Sequence, residues 1–156
     1  MKTIKLLPLV IIAFVLLSFV SSDIKLEIRS FIDGKVELKV PADFELMSEE
    51  MLKFKYPTEQ RPDVVYTDKT AGINVAVRLT QNPASQEAIA PYADNFVKSF
   101  EQMYPNAEWK DNGVKTIDGR QVGYLELITP AVDTDIYNLM FFTDLEGQLL
   151  LCTFNC

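Results

Sequence analysis

Histidine occurs nowhere in the 156 residues. Its absence removes Ser-His-Asp and Cys-His catalysis, histidine-ligated zinc, and the commonest general base near neutral pH. Glycine is scarce, six in all, and no G-x-x-x-x-G-K-[ST], G-x-G-x-x-G or G-x-S-x-G can be read in the chain, so nucleotide and hydrolase readings lose their main support. Basic residues are outnumbered 15 to 22, for a net charge of −7, and they form no run. Phosphate backbones and anionic membranes attract Lys/Arg clusters, so no nucleic-acid partner is expected. Cysteine is limited to Cys152 and Cys156. On one extended strand four residues span ~13 Å, whereas a disulfide needs Cα atoms within ~7 Å, so the two pair only if the chain turns after Phe154. The preferred reading makes Cys152 a small buried apolar residue.

Charge is also missing from Leu6 to Val20, an apolar run behind the lysine-bearing head Met1-Lys2-Thr3-Ile4-Lys5. That is the layout of a signal peptide, with cleavage expected between Ser22 and Asp23. The rival is a retained anchor, but a span needs ~20 apolar residues at ~1.5 Å each, and this run, with Pro8 near its start, falls short. No cysteine stands near the cleavage point to carry a lipid. Losing residues 1–22 removes two lysines and no acid, leaving 13 basic and 22 acidic residues, a charge of −9. Residues 23–156 are the size of one domain, large enough to bury a core. The expectation is an exported protein, periplasmic or secreted, with no stable membrane span after cleavage.

Within that domain Ile24 to Arg29 and Val36 to Val40 alternate apolar and charged residues, as strands with one wet face do. A three-residue loop, Ile32-Asp33-Gly34 with Gly34 left-handed, pairs Ile28 with Leu38 and Leu26 with Val40, keeping like with like. Similar signatures at Ile117-Asp118-Gly119 and Leu145-Glu146-Gly147 predict further hairpins, and Asp68 to Gly72 a fourth. With a three-residue loop at the last of these, Phe142 faces Leu150, Met140 faces Cys152 and Phe141 faces Leu151. Only Ser48 to Phe54 can form a short helix between Val40 and Val64. One long helix starts near Ile89 and ends at Tyr104-Pro105. Tyr92, Phe96, Phe100 and Met103 face the sheet, and Asp94, Lys98 and Glu101 face water. Leu139 to Phe142 and Leu149 to Cys152 are continuous apolar runs, expected to be central strands covered on both faces. The fold class is α+β: a single antiparallel sheet of hairpins with one long amphipathic helix packed on it.

Val40-Pro41 followed by Phe44 and Met47, Ile117-Asp118-Gly119 followed by Gly123-Tyr124, and Phe141-Phe142 through Gly147 to Thr153-Phe154 together resemble the Mog1/PsbP-like fold group, which includes DcrB-like bacterial exported proteins. The resemblance implies an accessory, binding or assembly protein rather than an enzyme, with no catalytic motif to carry over. It also implies a terminal helix on the sheet, whereas this sequence stops at Cys156. One helix covers one face only, and each uncovered large apolar side chain forfeits about 1.5–3 kcal/mol of burial. The second face of the last hairpin is therefore expected to be covered by the Pro41–Pro62 segment, by a C-terminal helix beyond these residues, or by a partner; the last two are preferred. That partner is another envelope protein, or a second copy joined through the C-terminal hairpin.

Carboxylates are the chemistry that survives. Asp133 and Asp135 in one loop, with Asp144 and Glu146 in the next turn, are the candidate metal ligands, but Tyr137 stands where an EF-hand would continue with Asp or Asn. No catalytic residue and no cofactor is assigned. The leading function is an exported non-catalytic binding or accessory protein of the cell envelope. The alternatives are a carboxylate-dependent enzyme acting on an envelope substrate, or a carrier of a small apolar ligand lined by Tyr92, Phe96 and Phe100.

Overall fold

The computed structural model describes residues 24–156, so the leader and the cleavage expected after Ser22 lie outside the described residues. In chain order come β1 (Leu26–Phe31), β2 (Val36–Pro41), β3 (Glu45–Leu46), α1 (Glu49–Lys55), β4 (Val64–Thr67) and β5 (Asn74–Pro83). They are followed by α2 (Ile89–Met103), β6 (Glu108–Ile117), β7 (Arg120–Pro130), β8 (Asp135–Leu145) and β9 (Gln148–Asn155). Strands β3 to β9 form one antiparallel sheet in the order β3-β4-β5-β9-β8-β7-β6. The two continuous apolar runs are indeed central, as β8 and β9. Among the described residues no helix is long and apolar enough to cross a membrane.

The α+β class with antiparallel strands and one long helix holds, but the single sheet does not. β1 and β2 form a separate two-stranded sheet, laid by its inner face over the larger one, where Phe31, Val40 and Phe44 pack with Val77, Leu150 and Cys152. Its register also differs from the expected one: Ile28 lies opposite Lys39, and Leu26 opposite Pro41. Parity explains the difference. Phe31 sits on the other face of β1 from Leu26 and Ile28, and Phe31 is the side chain that is buried, 2% exposed, with its ring 5.5 Å from Tyr66 in an edge-on contact. Burying one Phe is worth about 1.5–3 kcal/mol, and the aromatic pair about 0.5–1.5 more. Ile28 is left 63% exposed, while Arg29 turns inward and lays its guanidinium 5.6 Å from the Tyr66 ring centroid. Gly34 is left-handed as expected, φ +82°, but Ile32 and Asp33 are too, and the loop spans four residues.

The turns at Asp118-Gly119 and Glu146-Gly147 are tighter than expected. Both are two-residue loops, closing Ile117 on Arg120 and Leu145 on Gln148. All four residues have positive φ, the type I′ pattern whose twist matches that of the flanking strands. The β8–β9 register shifts accordingly, with Phe141 opposite Cys152, Phe142 opposite Leu151 and Met140 opposite Thr153.

α1 opens on Ser48, whose Oγ accepts the Met51 N–H at 3.2 Å. α2 has the expected extent and outward face, with Asp94, Lys98 and Glu101 exposed. Its inner stripe runs through Ile89 and Ala93, both buried, with Tyr92, Phe96, Val97 and Phe100 packed beside them. Met103, expected to face the sheet, is 62% exposed, because Phe100 is the last residue of the stripe to reach the core cluster.

Candidate binding site

Strict alternation along β7 divides its residues between the two faces of the large sheet. Leu125 and Leu127 go under α2 with Met140 and Phe142 of β8 and are buried. Gly123 belongs to this face, and a Cβ on it would sit 2.2 Å from the Phe142 ring. Glycine is what lets that ring lie flat on the strand. Phe142 in turn meets Phe96 of α2 edge-on at 4.9 Å. The aromatic stripe that a carrier would use as pocket lining is engaged in this packing.

On the opposite face the β1–β2 sheet and Phe44 cover Val77, Leu150 and Cys152 and flank Phe141 and Leu145. The cover therefore comes mostly from the first hairpin, which was not among the three expected sources, and in part from Phe44 of the Pro41–Pro62 segment, which was. Burial here is deep enough to push the Cys152 thiol up to about 12, and Cys152 is free and buried, as preferred. Toward β6 and β7 the face stays open. Val122, Tyr124, Glu126, Ile128, Tyr137, Leu139 and Phe141 are all half-exposed. A groove of about 340 Å³ runs over this area, floored by Ile117, Val122, Tyr124, Leu139 and Phe141, with Asp111, Lys115 and Glu126 as its polar lining.

These polar groups are already organised. Tyr124 Oη donates to Asp111 Oδ2 at 2.9 Å, and the Asn112 N–H donates to Asp111 Oδ1 at 2.9 Å. Lys115 Nζ lies 4.2 Å from the Tyr124 ring centroid and 3.7 Å from the Asp111 carboxylate. The Tyr124 hydroxyl, with help from the Asn112 N–H and Lys115, holds the Asp111 carboxyl below its ordinary value, and Tyr124 and Asp111 hold the Lys115 ammonium above its own. Tyr137 Oη donates to Glu126 Oε1 at 2.9 Å, and desolvation together with that carboxylate raises the Tyr137 phenol. Asp111 and Glu126 are cross-strand neighbours.

The candidate metal ligands are not brought together. Asp133 and Asp135 are exposed at the start of β8, and Asp144 and Glu146 lie near its far end, about 30 Å of strand away. Asp144 Oδ1 takes Arg120 at 2.8 Å and also accepts from Gln86, and Glu146 takes Lys35 at 2.7 Å. Among the described residues no three His, Cys, Asp or Glu side chains converge as a metal would need. The groove residues went unnoticed in the sequence, although Val122, Tyr124, Glu126 and Ile128 alternate cleanly with Gly123, Leu125 and Leu127.

A seven-stranded antiparallel sheet, a long helix on one face and a separate hairpin on the other define a Mog1/PsbP-like fold. Among solved structures, the chain is similar to the cyanobacterial PsbP (CyanoP) of Synechocystis, with a TM-score of 0.56, 19% identity, and coverage of 85% of this chain and 79% of that one. A protein of unknown function from Pseudomonas aeruginosa, described as a putative regulator, aligns with a TM-score of 0.44 and 12% identity over 83% of this chain and 81% of its own. No family model and no curated protein matches the sequence.

Proposed function

We propose that this is an exported, non-catalytic binding or accessory protein of the cell envelope that holds another envelope protein against the open half of its sheet. The observation that carries the reading is the groove itself: aromatic and aliphatic side chains left half-exposed beside a fully packed core. Contiguous apolar surface of this kind marks interaction sites. Export rests on the charge-free run from Leu6 to Val20 behind Lys2 and Lys5. The protein recovered from the envelope is expected to begin at Asp23; recovery only as a membrane-bound chain starting at Met1 would count against cleavage. The binding reading is tested in the native host with a photoreactive residue in place of Val122 or Leu139, and at Lys98 on the outward side of α2 as control. Adducts to one envelope protein from the groove positions alone support it. No groove adduct, or the same adducts from Lys98, sinks it.

One observation favours a second reading, a carboxylate-dependent enzyme: Asp111 and Glu126 stand side by side in the groove. A general acid needs its pKa raised toward the working pH, whereas Asp111 is shifted the other way. Loss of activity on a cell-wall substrate panel in Asp111→Asn would restore this reading, and a flat panel with the unaltered protein would remove it.

A further inference from the structure

The charge around the groove identifies the kind of partner, and resting on the binding reading above, we infer that the occupant is a cationic amphipathic helix of another protein. Acids outnumber bases in and beside the groove. Asp111 and Glu126 stand in its lining against Lys115, and further along the chain Asp118 lies in the turn before β7, Asp133 in the loop after it and Asp135 at the start of β8, all exposed. Among the described residues Lys115 is the one cation in the lining, and its charge is matched by Asp111 3.7 Å away. The nearest turn cations are committed elsewhere, Arg120 to Asp144 and Lys35 to Glu146. An apolar element entering this groove gains from positive charge at its margins and is disfavoured if it carries negative charge. A second copy brings the same acids and a net charge of the same sign.

A helix fits better than an added strand. The outer strand β6 is bulged between Trp109 and Asp111, and its Asn112 N–H is taken by the Asp111 carboxylate. These are the devices by which an edge refuses a further strand. The occupant must lie on the face. A helix about 10 Å wide spans strands about 4.8 Å apart, so it can rest on Val122 and Tyr124 of β7 and on Leu139 and Phe141 of β8, as α2 rests on the alternate residues of the same strands.

The test uses two synthetic peptides about five helical turns long, one Leu/Lys and one Leu/Glu, with identical apolar positions, added to the full chain and followed by amide NMR shifts. The Leu/Lys peptide is expected to move the signals of Val122, Tyr124, Leu139 and Phe141 with an affinity that falls as salt rises, while the Leu/Glu peptide moves nothing. Leu139→Asp should abolish binding. Because that variant can fail through misfolding, two charge variants in the lining stand beside it: Glu126→Gln weakens the Leu/Lys peptide and Lys115→Gln strengthens it, each by about threefold, the size expected of single surface charges. Equal binding of both peptides at the groove overturns the cationic partner but leaves the binding reading standing. Shifts elsewhere, or none with either peptide, overturn both. Concentration-dependent shifts at these residues without peptide assign the groove to a second copy. Shifts released when the chain is cut after Ser22 assign it to the chain's own Leu6–Val20 segment. Either outcome overturns the inference.

Discussion

Across β7 and β8 the two faces of one sheet have opposite fates. Leu125, Leu127 and Phe142, under α2, are at most 1% exposed, while Tyr124, Leu139 and Phe141, one residue along the same strands, stay half-exposed. Both sets are largely apolar, so hydrophobicity alone does not decide which residues are buried here. What separates them is whether a neighbouring element supplies the cover. α2 does so on one side, and the β1–β2 sheet reaches only part of the other. The half-exposed set is also the one interleaved with Asp111, Lys115 and Glu126, polar groups that keep this face in contact with water.

The contrast can be broken most directly at Phe142 and Phe141. Phe142→Ala should cost about 3–5 kcal/mol of stability, the range for a buried Phe, and Phe141→Ala clearly less, both read from denaturant midpoints at unchanged slope. Equal losses would mean that the open face is as structural as the covered one. Gly123→Ala comes next. Its new methyl must displace the Phe142 ring, and over-packing of this kind costs about 1–3 kcal/mol; a neutral result would show that the ring has room to move. Leu139→Ala sharpens the comparison from the other side. Half-exposed and facing the groove, it should lower stability by about 1 kcal/mol or less while removing binding to the open face.

The smallest expected effect is a titration. Asp111 has a folded-state pKa below its ordinary 3.8, so the unfolded chain takes up its proton first as pH falls. The stability it contributes is present above that value and fades as pH drops through the folded-state pKa. Tyr124→Phe removes the largest cause of the shift, the Tyr124 hydroxyl. The Asp111 carboxyl carbon, followed by NMR, should then titrate closer to 3.8 than in the unaltered protein, and an unchanged midpoint would mean that the Tyr124 hydroxyl does not hold it.

Local patterns sufficed for most of the elements. The aromatic and aliphatic spacing from Ile89 to Phe100 marks α2, Ser48 marks the start of α1, and the uninterrupted runs in β8 and β9 mark the sheet centre. These signals work because a helix repeats every 3.6 residues and a strand every two, so a few side chains within one segment are enough. Register was less secure. The Gly-containing turns were recognised, yet their lengths depend on φ at Asp118 and Glu146, which residue type leaves open.

By itself, then, the sequence determined the class: an acidic chain without histidine, with antiparallel hairpins and one amphipathic helix. Tertiary structure alone decided which apolar face would be finished. With Phe31 buried against Tyr66, Ile28 on the other face of β1 points outward; β1 and β2 form a second sheet whose packed cluster does not include Tyr124 or Leu139. Such an outcome is a competition between distant side chains for the same surface. No pattern within a single strand records who wins it, because the energy belongs to the contact between segments rather than to either segment alone.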